Sequence, residues 1–285
     1  MSDGVRSSNH DPRFEMSFLE HFFEDNFDGT PTPSGIPPVD GTAPSPGANN
    51  SFKQVTDSEL AAHLEVDTYD QFQLTEAVRP AMDLKVKPTE GYRHEHYKDD
   101  ESGTTIPVVM AAASKEKLFP LFMELIQKLG PVVDVVLESS HEGDAAGHRD
   151  FYRDNIDMAV LLSVLYDYED LLLNDGCTGI AVLNPSKPQE VQFEEHKLLI
   201  IYGSPLEQYE FTLEKAGVSD LQNMQFITEA EHVHSSSEKY LKRFEELRCA
   251  LGLDGSQTEP NESNLDDYYN DGENWSDGDM SGGLA

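Results

Sequence analysis

The stretch that decides the fold is Thr104 to Glu138, TTIPVVMAAASKEKLFPLFMELIQKLGPVVDVVLE. Ile106, Val108, Val109 and Met110 form a short apolar run of the kind a buried strand carries, and Pro107 directs that strand to an edge or a bulge. From Ser114 onward the apolar residues fall at Leu118, Leu121, Phe122, Leu125, Ile126 and Leu129, which is one face of an α-helix. Pro120 within it predicts a kink or a late start, and Gly130-Pro131 ends it. Val132–Glu138 is rich in β-branched residues and reads as a second strand. Strand, helix and strand over this distance predict a right-handed parallel crossover.

Working outward, residues 139–150 read as a polar loop. A largely buried helix is expected from Asn155 to Leu173, closed by Asn174-Asp175-Gly176. Cys177–Leu183 and Val191–Tyr202 read as an antiparallel pair joined by the turn Asn184-Pro185-Ser186-Lys187-Pro188. Ser204-Pro205-Leu206-Glu207 has the form of a capping box, with Ser204 as N-cap and Pro205 at the first helical position. Met224–His234 reads as a strand. Ser235–Ser237 then caps a last helix whose face carries Tyr240, Leu241, Phe244, Leu247 and Leu251. Upstream, residues 58–65 form a short helix capped by Asp57 or Ser58, and a strand is expected around Tyr92–Tyr97. The fold class is therefore α/β, with α+β as the alternative: one domain over residues 56–254, built on a mixed sheet packed by helices.

The flanks read differently. Residues 1–55 are rich in Pro, Gly and Ser, and residues 255–285 are acidic with no Lys or Arg; both compositions are too polar to offset the entropy of ordering. Within the first, Asp11-Pro12 starts an amphipathic segment over 12–27 that sets Phe14, Phe18 and Phe22 on one side beside Leu19 and Phe23. Within the second, Tyr268, Tyr269 and Trp275 lie among aspartates. These eight residues are the candidate partner-binding anchors. The chain of 285 residues carries 54 acidic against 20 basic side chains, a net charge of −34. The flanks hold −5 and −8 of this, which leaves −21 on residues 56–254.

Such a charge disfavours binding to nucleic-acid phosphates and to anionic membranes, and it favours a basic protein partner. No stretch is apolar enough to span a bilayer. Met1-Ser2-Asp3-Gly4 lacks the pattern of an export signal, and two cysteines make no disulfide framework, so a cytoplasmic setting is expected.

Phosphate-binding glycine motifs, an EF-hand loop and a Gly-x-Ser-x-Gly elbow are all missing from the sequence. Cys249 has Glu245 and Glu246 one helical turn away, which disfavours a thiolate, and Cys177 reads as a small buried hydrophobe. No catalytic residue and no cofactor is expected on these grounds. Ten histidines keep a metal site in view. His94 and His96 flank Glu95, and His232 and His234 repeat the spacing; on a strand, each pair presents two imidazoles to one face. Two functions follow. One is a non-catalytic interaction or regulatory module acting through its domain surface and flanking segments. The other is a small metal-dependent enzyme or metal-binding module using a His/Glu/Asp cluster, and convergence of the histidines in space discriminates the two.

Overall fold

The computed structural model describes residues 51, 55–98, 105–141 and 149–253. The amphipathic segment at 12–27 and the aromatic residues Tyr268, Tyr269 and Trp275 lie outside them.

A first helix, α1 (Asp57–Leu64), is capped by Thr56, one or two residues before the expected cap. The Thr56 N–H donates to the Glu59 carboxylate at 2.9 Å and the Glu59 N–H donates to Thr56 Oγ1 at 3.3 Å, so each residue satisfies the other's exposed amide. Thr56→Ala is expected to destabilise this helix by about 1 kcal/mol, read as faster amide exchange confined to residues 57–60.

Next come two short ribbons. One pairs β1 (Thr68–Tyr69) with β2 (Phe72–Gln73). The other pairs β3 (Val78–Pro80) with a strand from the far end of the chain, β11 (His232–His234). Between β3 and β11 in sequence lies the main sheet, of β4 (Gly91–Lys98), β5 (Thr105–Ala112), β6 (Val132–Ser139), β7 (Arg149–Asp157), β8 (Thr178–Leu183), β9 (Glu190–Phe193) and β10 (Leu199–Tyr202), in the order β4-β5-β10-β9-β8-β6-β7.

The α/β architecture and the single helix-packed domain are as expected. Every pairing between the strands is antiparallel, however, where the sequence suggested a mixed sheet. The crossover reading explains the difference. β5 and β6 do run in the same direction, but β10, β9 and β8 fill the space between them as successive antiparallel neighbours. The helix α2 (Lys115–Ile126) continues through Pro120 and packs over the middle of the sheet, where Phe122 meets Phe193 of β9 with ring centroids 5.4 Å apart. Pro107 stands near the start of an interior strand, and its carbonyl accepts the Gly203 N–H at 3.0 Å.

The pleat divides the core in two. Val109, Ala111, Val133, Val135, Leu137, Ile180, Val182, Val191, Phe193, Leu199 and Ile201 face the helices α2, α3 (Met158–Tyr166), α4 (Glu169–Asn174), α5 (Glu207–Lys215) and α6 (Glu238–Ala250). Val108, Met110, Ala112, Leu198, Ile200 and Tyr202 face the other way, onto Phe72, Met224 and Phe226.

Four local readings need correction. The helix expected from Asn155 starts later, because Asp157 ends β7 and accepts the Ala159 N–H at 2.8 Å as the cap of α3, and a break at residues 167–168 separates α4. Val191–Tyr202 is a hairpin and not one strand. Only His232–His234 of the segment 224–234 is a strand, with Ile227–Glu229 in a 3-10 turn. Finally, α5 begins at Glu207 with Leu206 before it, and Ser204 makes no cap; the Ser204–Pro205 bond is cis. Leu206 is buried in the helix-side core, and burial of a leucine outweighs a serine cap of about 1 kcal/mol.

Candidate metal centre

The ribbon and the main sheet each deliver part of one cluster. Residues two apart on a strand share a face, so His232 and His234 of β11 point the same way, across from Pro80 and Val78 of β3. The third imidazole comes from His196, in the turn that joins β9 to β10. Ring centroids are 4.7 Å apart for His196–His232, 4.4 Å for His196–His234 and 5.1 Å for His232–His234. One ligand nitrogen from each of the three can be chosen so that all lie within 4.8 Å of one another.

The turn is built to present His196. Glu194, Glu195, His196 and Lys197 join two buried strands; the Lys197 N–H donates to the Glu194 carbonyl at 2.8 Å, and Lys197 takes a left-handed conformation with φ of 66°. The buried Glu194 carboxylate grips His196 twice, accepting its main-chain N–H at 2.8 Å and meeting its Nδ1.

Each imidazole has its Nδ1 engaged by an acceptor. His232 Nδ1 lies 2.8 Å from the Ala230 carbonyl, and His234 Nδ1 lies 2.5 Å from the Gly176 carbonyl. A carbonyl oxygen only accepts, so both rings carry the proton on Nδ1 and keep the Nε2 lone pair for a further ligand. His232 Nε2 is buried and has no hydrogen-bond partner among the described residues. An orphaned lone pair in such a place costs desolvation energy unless something coordinates it.

Close backbone approach makes this geometry possible. A Cβ on Gly176 would come within 2.4 Å of the Ala77 carbonyl and 3.0 Å of the Ser235 N, so only glycine lets the 176 carbonyl reach His234.

Burial sets the electrostatics. It pushes His232 down to about 4, with His234 adding to the effect, and it lowers His234 as well, helped by His196. Burial raises Glu194 to about 7, opposed by the His196 main-chain N–H. Lys197 is lowered by burial, and its Nζ donates to the Thr178 carbonyl at 2.9 Å.

Beside the imidazoles lies a second polar group. Ser140 Oγ donates to Glu195 at 2.6 Å, and His141 Nε2 is 3.0 Å from the fully buried Asp175. Burial works to raise Asp175, but the contact with His141 and the hydroxyls around it hold it below the usual carboxylate value. Burial likewise lifts Cys177 to about 11, so it offers no thiolate.

Of the four histidines singled out in the sequence, the structure brings His232 and His234 together. His94 and His96 lie elsewhere, exposed on the edge strand β4, with His94 Nε2 3.9 Å from Glu210. His196 is the member the sequence reading missed. Its signal was the run Glu194-Glu195-His196-Lys197, four polar residues inside an apolar segment, which marks a hairpin turn. Among the described residues, no helix is long and apolar enough to cross a membrane. Comparison of the chain with family models, with curated proteins and with solved structures gives no match.

Proposed function

We propose that this domain binds one divalent transition-metal ion through His196, His232 and His234. The observation that carries the reading is the set of three converging imidazoles, each with its Nδ1 held by a separate acceptor. Metal-binding histidines donate their second nitrogen to a carboxylate or a carbonyl in this way, which fixes the tautomer and makes the ligand nitrogen more basic. Three neutral nitrogen donors without a thiolate suit zinc and its neighbours, and a tetrahedral ion held by three histidines keeps one position for water or a substrate. The function is then that of a metal-dependent protein, the second of the two readings drawn from the sequence. A reducing, cytoplasmic setting is compatible with a chain of only two cysteines, one buried and one exposed.

Isothermal titration of the chelator-stripped full-length protein with zinc tests this. One tight site per chain is expected, absent in His232→Ala and His234→Ala, above a background of weak sites on the acidic surface that the variants retain. A wild-type titration no tighter than that of the variants overturns the reading. Glu194→Ala is expected to weaken the tight site by about 10–100-fold while leaving its stoichiometry at one, because it frees the His196 ring to rotate.

The net charge of −34 supports a second role, capture of a basic protein partner through the acidic surface and the flanking segments. That role is compatible with the metal centre. It predicts partner capture that weakens as salt is raised and is lost when residues 1–55 and 255–285 are removed.

A further inference from the structure

We propose that residues 12–27 of this chain dock as an amphipathic helix on the side of the main sheet away from α2–α6, across β6, β8 and β9, with Phe14, Phe18 and Phe22 against the strands. The starting point is a row of side chains on neighbouring strands. Val136 of β6 stands opposite Ala181 of β8, Ala181 opposite Gln192 of β9, and Gln192 opposite Ile200 of β10. Val135, Leu137, Ile180, Val182, Val191 and Phe193 point to the helices, so alternation turns Val136, Ala181 and Gln192 the other way. On that side Phe72, Met224 and Phe226 cover Val108, Met110, Ile200 and Tyr202, but Val136 and Ala181 join none of the apolar clusters among the described residues. Val136 is nonetheless only 5% exposed, and Ala181 and Gln192 are 0% exposed. A glutamine in the middle of a bare sheet face keeps its amide in water, as the solvated face of an antiparallel sheet does. This half of the face is therefore covered, and the cover comes from outside the described residues.

The sequence leaves few segments able to supply it. Residues 52–54, 99–104 and 142–148 are too short to lie across three strands, and Gly29–Asn50 has only Ile36 and Val39 as large apolar side chains. Residues 255–285 carry eight acids and no Lys, Arg or His, and Asp134, Glu138 and Glu190 on the same side of the sheet meet them as like charges. Residues 12–27 hold five of the chain's fourteen phenylalanines, together with Met16 and Leu19. At helical spacing Phe14, Phe18 and Phe22 share one side. Four acids accompany them, offset in part by Arg13 and His21, and Glu20 and Glu24 fall on the side away from Phe18. A helix over 12–27 is about 24 Å long, and three strands about 4.8 Å apart are narrower than that. The tether also suffices. Ser51 N–H donates to the Glu231 carboxylate at 2.9 Å, which fixes its end beside the β3–β11 ribbon, and the residues between 27 and 51 extend to about 80 Å. Phenylalanines seated on the sheet are not on offer to a partner, so capture of a partner through them competes with this contact.

The test uses the full-length protein with p-benzoylphenylalanine in place of Phe18, irradiated and mapped by mass spectrometry. Cross-links within one chain to residues 132–139, 178–183 or 190–193 are expected. Cross-links to the helix side, to no part of the domain, or only between two chains overturn the proposal, the last by assigning the face to a second copy. A second measurement stands apart from the first. In full-length Val136→Cys, the new thiol is expected to react with a maleimide at least about 100-fold faster once Phe14→Asp, Phe18→Asp and Phe22→Asp are added, because the docked segment is what shields it. Peptide mapping separates this thiol from Cys177 and Cys249. A rate unchanged by the three aspartates overturns the proposal, and neither measurement depends on the metal.

Discussion

Zinc at a thousandfold excess over its dissociation constant is expected to stabilise the folded protein by about 4 kcal/mol, raising the unfolding midpoint by about 8–16 °C. The size of the effect follows from mass action, but its structural distribution follows from the fold. His232 and His234 belong to the two-stranded ribbon β3–β11, and His196 to the turn of the main sheet. An ion on all three therefore ties two sheets that share no strand.

Without the ion, this corner is held by a few backbone contacts. Ser235 N–H donates to the Ala77 carbonyl at 2.7 Å, Gly176 N–H donates to the Ser235 carbonyl at 2.8 Å, and His234 reaches the Gly176 carbonyl. Ala77, Val78 and Ile227 make up a small apolar cluster of their own here. The gain is expected to vanish in His232→Ala, and zinc-dependent protection from hydrogen exchange is expected first at residues 77–80 and 232–235. Scanning calorimetry of both proteins, with zinc or with chelator, checks the prediction. An equal shift in the wild-type protein and the variant would assign the stabilisation to surface carboxylates and sink the stapling argument.

The elements that were legible in the sequence are those whose side chains repeat with a single period over their whole length. The face of α2 and that of α6 are of this kind, each closed by a glycine in a positive-φ conformation, Gly130 and Gly252. So is β5, whose residues alternate between the two cores. β7 was hidden because it is an edge strand with charged residues throughout, and a register irregularity between Val133 and Val135 of β6 breaks its alternation. With Asp150, Arg153 and Asp154 in it, Arg149–Asp157 looks locally like a loop; pairing with β6 is what makes it a strand.

The same distinction runs through the candidate site. His232 and His234 were visible as a pair because a two-residue period needs no tertiary information. His94 and His96 have the same local spacing and fall on an exposed strand, so spacing alone could not rank the two pairs. The deciding facts are long-range: β11 returning to pair with β3, and the β9–β10 turn arriving beside it with His196. Nor could the second nitrogen's partner be read locally for His234, since its acceptor is the carbonyl of Gly176 on a distant segment.

Glu190→Gln is expected to stabilise the protein by about 3 kcal/mol at pH 8 and to leave it nearly unchanged at pH 4. Glu190 is 3% exposed on β9, facing Tyr202 of β10 and Leu183 of β8 across the sheet. Its Oε1 accepts from the Gln192 amide, while Oε2 is buried with no hydrogen-bond partner among the described residues. Glu138 on β6 feels Glu190 and Glu194 as like charges, so no cation among these neighbours relieves the group. Burial pushes the Glu190 carboxyl up to about 7, and the Gln192 amide offsets only part of that.

The sign follows from proton counting. Between the unfolded value of 4.5 and about 7, the folded state holds a proton that the unfolded chain has released, so stability falls as pH rises through this window. It is fully present below the window and constant above it. At about 1.4 kcal/mol per unit of pKa shift, the loss reaches the stated size. Glutamine keeps the acceptor for Gln192 and removes the charge, so the variant should lack this part of the slope. Urea unfolding of both proteins at pH 4, 6 and 8, with chelator present so that metal release does not contribute, separates the outcomes. A difference that grows from pH 4 to pH 8 supports a buried carboxyl that resists ionisation; a difference constant with pH would mean that the substitution acts through packing instead.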